Sequence, residues 1–127
     1  MAEPEPSPTV QADEIIARHC RASGHMRSGL KKAAYNLFMP PPDMQVSVVR
    51  ATGIDAAAVR AIGEAHVSMS LKGHATFPAD VALTRGLTFD PDAVPHARHA
   101  NLIGWGDDAL NRLHARAIAE ASSLLEY

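Results

Sequence analysis

A second cysteine is missing from this chain of 127 residues, so Cys20 has no internal partner and no disulfide staples the fold. A lone thiol suits a reducing compartment. No run of about 18 apolar residues is present, which excludes a membrane-spanning helix. The opening Ala2-Glu3-Pro4-Glu5-Pro6-Ser7-Pro8 is acidic and proline-rich, where a signal peptide would be basic and apolar. A cytoplasmic protein is the expectation. Neither sign of charge dominates: the net charge is −2, which gives no global argument for nucleic acid or an anionic membrane. Catalytic signatures are missing as well. There is no HExxH, no paired CxxC and no P-loop, and Gly104-Trp105-Gly106 has neither the spacing nor the lysine of a phosphate loop. No internal repeat marks a solenoid.

What is present suits one domain with a real core: the length is ordinary for a single unit, and 46 % of the residues are hydrophobic. The expected organisation is a disordered tail over residues 1–8, a helical and basic appendage with a proline linker over 9–42, and an α/β core over 43–127. Thr9 as cap, Asp13 and Glu14 early, Arg18 and Arg21 late, and Gly24 as terminator read as a helix ending at Ser23. Residues 25–39 carry little pattern. Pro40-Pro41-Pro42 forces an extended link.

Met44 to Arg50 alternates as a strand, and Thr52-Gly53 turns. Asp55 caps a helix reaching about Ser70, with Val59, Ile62, His66 and Met69 toward the sheet and Gly73 closing the element. Pro78 to Arg85 reads as a short helix, Gly86 to Phe89 as a brief strand, and Asp90 to Pro95 as a turn-rich loop. Arg98 to Trp105 is a strand. A last helix runs from Asp107 to about Leu125, with Leu110, Leu113, Ala117, Ala121 and Leu124 as its stripe. The fold class that follows is a small α/β (α+β) two-layer sandwich, two or three short strands covered by helices on one face.

Three groups of residues are able to carry chemistry. The first is the strand beginning His96-Ala97-Arg98-His99-Ala100-Asn101. A period of two puts His99, Asn101, Ile103 and Trp105 on one face and Ala100, Leu102 and Gly104 on the other. His96, His99, Asn101 and Trp105 are the candidate polar site. Two neighbouring imidazoles suit zinc, nickel or copper, but such a site needs further ligands, for which His25, Cys20, His74 or an aspartate are the candidates. The ordinary reading of the pair is a strand-edge hydrogen-bonding couple, with no cofactor.

The second is Cys20 beside His19, with Arg18 and Arg21 near. Cationic neighbours activate a thiol, whereas a buried free cysteine is inert. The third is Arg18, Arg21, Arg27, Lys31 and Lys32, a basic run with no acidic residue between Ile15 and Pro42 and with Tyr35 and Phe38 close by. Such a run holds phosphates or an acidic partner, or forms a solvated face. His66 and His114, on or beside apolar helix faces, read as core or boundary residues. Asp107 and Asp108 read as cap and dipole partners of a helix.

Pro40 to Arg50 with Gly53-Ile54, and Arg98-His99-Ala100-Asn101-Leu102-Ile103-Gly104-Trp105, resemble small bacterial proteins of unknown function that share a proline-then-strand entry and an RHANxxGW-like strand. The resemblance spans about residue 30 to the end. It implies a bacterial stand-alone domain and carries no activity, cofactor or site residue.

With no catalytic motif complete, the sequence favours a non-catalytic accessory or interaction protein over an enzyme. It would act through a protein partner or self-association. The alternatives are a metal protein built on His96 and His99, and a nucleic-acid binder using the basic segment 18–32.

Overall fold

The computed structural model describes residues 8–67 and 70–127. The proline-rich tail therefore lies, but for Pro8, outside the described residues, as does Met69. The chain runs β1 (Ile15–Cys20), β2 (Met26–Arg27), β3 (Lys32–Ala33), β4 (Val46–Arg50), α1 (Ala56–His66), β5 (Gly73–Pro78), α2 (Asp80–Leu83), β6 (Thr88–Pro91), β7 (His99–Ile103), α3 (Asp108–Ala121) and β8 (Ser123–Glu126), with a short 3-10 turn at Tyr35–Phe38. Six strands form one antiparallel sheet in the order β6-β7-β4-β1-β5-β8, and β2 pairs with β3 in a small ribbon.

The expected sandwich of two or three strands with an N-terminal helical appendage is thus corrected. Ile15–Cys20 is not a helix but a strand lying between β4 and β5. Ile16 and Cys20 enter the main core while Ala17 joins the cluster on the other face. A strand covered on both faces needs no polar alternation, so the acid-first, base-last pattern was free to imitate a helix. Two more strands of the main sheet escaped the pattern, as did β2 and β3 of the ribbon. Gly73, read as a terminator, opens β5, and β8 occupies the stretch assigned to the end of the last helix.

The main core lies on one face of the sheet. Ile16, Cys20, Val46, Val48, Ala75, Phe77, Ala100 and Leu102 meet Leu37 and Phe38 of the 3-10 turn, Ala82 of α2, and Ala115, Ile118 and Ala119 of α3. Asp107 caps α3 by accepting from the Leu110 amide at 2.9 Å. The buried face of α3 is Asn111, His114, Ala115, Ile118 and Ala119, so the leucine stripe expected there points outward, with Leu110 and Leu113 at 43 % and 55 % exposure. The polar core positions are satisfied. Asn111 holds both the amide and the carbonyl of Gly106, and His114 Nδ1 accepts from Arg85 Nε at 3.0 Å.

On the opposite face α1 covers a smaller cluster of Ala17, Val49, Ala51 and Val59, with Ile54 and Ile62. Asp55 caps α1 at 2.8 Å from the Ala58 amide, as expected. His66 is exposed rather than turned to the core. The helix is held close to the sheet by His19, whose Nε2 donates to the Val59 carbonyl at 2.8 Å. That approach requires Gly63, because a Cβ there would lie 2.4 Å from two His19 ring atoms and 2.5 Å from Leu71 Cδ1.

Gly63→Ala is therefore expected to destabilise the protein by about 2 kcal/mol. Overpacking near the top of its usual range of ~1–3 kcal/mol outweighs the ~1 kcal/mol that alanine gains in helix propensity. A lowered urea midpoint with an unchanged slope checks this, whereas a midpoint at or above wild type would contradict the close packing. Among the described residues no helix is long and apolar enough to cross a membrane.

Candidate functional site: a histidine and arginine cleft

The sheet opens where β1 and β4 part. The two strands pair only at Ile16–Arg50 and Ala17–Val49. One of the ladder's lost acceptors is taken by a side chain instead: Arg18 Nη1 donates to the Ser47 carbonyl at 2.6 Å while its Nε donates to the Leu37 carbonyl at 2.7 Å. Arg18 thus bridges the gap and makes it the floor of a cleft of about 450 Å³. The walls come from the end of β1 and the turn after it (His19, Arg21, His25), the loop into β4 (Pro41, Asp43, Gln45), β4 itself (Ser47 to Val49), the end of α1 (His66, Val67) and the entry to β7 (Pro95, His96, His99).

Five of the seven histidines of the chain therefore meet at one concavity. His66 and His96 rings lie 5.1 Å apart, and His96 and His99 rings 5.8 Å apart. His96 Nδ1 accepts from the Arg98 amide at 3.2 Å, so its proton sits on Nε2 when the ring is neutral. Burial, reinforced by the neighbouring His66, His99 and His19 rings, pushes its pKa down to about 4. Burial also lowers His19 and His25, and in both cases Arg18 and Arg21 add to the effect. His19, His25 and His96 are thus biased toward the neutral form beside two guanidiniums. Burial and then Arg21 bring Arg18 down only to about 10, which leaves it charged at neutral pH. The single carboxylate in the lining, Asp43, accepts from the Gln45 amide at 3.1 Å.

Against the sequence expectations, His96 and His99 do belong to the cleft, and His25 joins them. Asn101 stands opposite Ser47 in the β4–β7 ladder but does not line the cleft. Trp105 leaves the set altogether. Gly104, at φ +96°, breaks the alternation of the strand. The indole then packs on the main core, donating to the Leu102 carbonyl at 2.9 Å.

Cys20 is fully buried on the core face, and burial raises its thiol to about 11, which leaves it neither a nucleophile nor a ligand in reach of His96. Among the described residues no group of three His, Cys, Asp or Glu side chains converges as a metal site. The five basic residues do not share a surface. Arg18 and Arg21 line the cleft, whereas Arg27 pairs with Glu120 at 2.8 Å and Lys32 bonds the Glu120 carbonyl. Lys31 is exposed, in the left-handed region at φ 53°.

Sequence reasoning missed Ser47 and His66. In the sequence Ser47 shows only as the polar alternate of its strand. The signal was its position on the same face as His99 once β4 and β7 pair, which the sequence does not announce. No protein-family model, curated protein or solved structure matches the chain.

Proposed function

We propose that this protein is a binding domain for a small anionic ligand, one bearing a phosphate or carboxylate, held in the β1/β4 cleft. The observation that carries this reading is the lining: Arg18, Arg21 and five histidines face one concavity that holds a single carboxylate, the exposed Asp43. The volume is that of a small-molecule site, for which ~300–1,000 Å³ is usual, rather than of a macromolecular groove. The Arg21 guanidinium and the His96 Nε2–H, neither committed to a carbonyl as Arg18, His19 and His99 are, are donors of the kind that recognise such oxyanions. The separation of Arg27 and Lys32 from the cleft removes support from the nucleic-acid reading. Placement of Cys20 on the other face does the same for the four-residue metal set. An accessory, protein-docking role rests on a different feature, the exposed Leu110 and Leu113 on α3. The buried reduced thiol fits a cytoplasmic protein.

The test is thermal unfolding with inorganic phosphate, sulfate or citrate at constant ionic strength. An anion at ten times its Kd stabilises by about 1.4 kcal/mol, worth roughly 3–6 °C in a domain of this size. That rise is expected in wild type and lost in Arg21→Glu, whose exposed side chain leaves the fold alone. Equal shifts in both proteins, or none with any anion, would refute the site.

A further inference from the structure

One pair in the cleft is arranged for more than binding. Ser47 Oγ lies 2.6 Å from His99 Nε2, and His99 Nδ1 lies 3.0 Å from the Asp92 carbonyl. A carbonyl oxygen only accepts, so Nδ1 carries the ring proton and Nε2 of the neutral imidazole accepts from the serine hydroxyl. This is what a serine nucleophile requires: a base within hydrogen-bond reach, and a third group fixing the tautomer of that base. Here a backbone carbonyl holds the place often taken by a carboxylate. His99 is shielded at 8 % exposure, whereas Ser47 is open to the cleft. Arg18, bonded to the carbonyl of Ser47 itself, adds a fixed positive charge to the lining of the same cleft.

We infer that Ser47 is an activated nucleophile with His99 as its general base, and that the cleft hydrolyses an activated acyl ester whose remainder bears the anionic group. The inference rests on the anion-binding reading for the substrate's second contact. In the first half, Ser47 Oγ attacks the acyl carbon and its proton passes to His99 Nε2. The carbonyl electrons shift to oxygen and return as the C–O bond to the leaving alcohol breaks, and that alcohol takes the proton from His99. In the second half, water attacks the acyl-serine and gives a proton to His99 Nε2. Ser47 leaves with that proton, and the carboxylic acid is released.

A fluorophosphonate probe on the full chain, read by intact mass and peptide mapping, tests this. One adduct at Ser47 is expected, absent in Ser47→Ala and slowed about 100-fold in His99→Gln, the lower end of what a positioned base supplies. In wild type the labelling should be abolished when the chain is unfolded in urea, a readout that needs no variant to fold. No adduct at Ser47, an unchanged rate in His99→Gln, or equal labelling of the folded and unfolded chain would overturn the inference. The two proposals separate cleanly. Phosphate stabilisation without labelling rejects the nucleophile alone, and labelling without phosphate stabilisation or competition rejects the anion site.

Discussion

Glu14→Ala is expected to cost about 3–5 kcal/mol, the range for removing one partner of a buried ion pair. For a domain whose whole stability is typically ~5–15 kcal/mol, that is a large share. Arg50 ends β4 with its side chain 3 % exposed, and Glu14 enters β1 at 12 %. Their contact is two-pronged: Nε to Oε1 and Nη2 to Oε2, each 2.8 Å. It ties together β1 and β4 at the end where they still pair, just before they part to form the cleft. Without the carboxylate, a buried guanidinium loses a two-pronged, charge-assisted acceptor. Glu14→Gln keeps the shape and one acceptor, so its cost should be smaller, ~1.5–3 kcal/mol.

The same pair makes a pH prediction. Burial alone would raise the Glu14 pKa, but hydrogen bonds from Arg50 and the Gln11 amide, with the Arg50 charge, bring it below its ordinary value of 4.5. Its stabilisation is therefore complete above that value and is lost as pH falls through the lower folded value. The histidines act in the same direction at higher pH. His74 and His96 are pushed down to about 4 by burial and neighbouring rings, from an ordinary 6.5. The unfolded chain binds their protons first, so stability should begin to fall below about pH 6.5. Urea midpoints measured from pH 8 to 3 should show a decline that starts near 6.5 and continues below 4.5. Glu14→Gln should flatten only the lower limb. A midpoint constant down to pH 5 would contradict the histidine account.

Phe38→Ala is the second large effect, about 3–5 kcal/mol for a buried aromatic truncated in place. Phe38 is fully buried and meets Phe77 edge to face, with ring centroids 5.3 Å apart. Its consequence extends to the cleft. Phe38 anchors the 3-10 turn whose Leu37 carbonyl accepts from Arg18 Nε. Loss of the anchor should loosen that acceptor and weaken the response to phosphate along with the fold. Ile118→Ala, equally buried but on α3, should cost about 2–5 kcal/mol and leave the phosphate response of the folded protein intact. Two variants of similar stability but different anion response would confirm that the turn positions Arg18. Identical responses would show that it does not.

How much of this was legible depended on burial. β4, α1 and β7 each have one face distinguishable from the other, and their alternation or helical spacing located them within a few residues. β1 is covered on both sides, so Ile16, Ala17 and Cys20 gave no period, and the charges around them suggested a helix. β5 was hidden by Gly73 and Pro78, residues that normally punctuate. Gly73 is needed there because a Cβ would meet the Leu125 carbonyl of β8 at 2.4 Å. The leucine stripe does not mark the inner face of α3, because its core positions are Asn111, His114, Ile118 and small alanines, while Leu110 and Leu113 face outward.

The candidate site was legible in part. His96 and His99 stood out by density of polar groups, and His25 entered as a remote ligand. Ser47 and His66 reach the same cleft only through strand pairing and the placement of α1. The group that orients His99 is the main-chain carbonyl of Asp92, which no side-chain pattern marks. Trp105 was lost to the site by a single left-handed glycine.

The most direct test of the central claim is a titration of the uniformly 15N-labelled protein with inorganic phosphate, followed by amide shifts at pH 7. The account predicts saturable shifts confined to residues around Arg18 to Arg21, His25, Gln45 to Ser47 and His96 to His99. Shifts centred instead on Lys31, Lys32 and Arg27, or no saturable shifts at all, would contradict it.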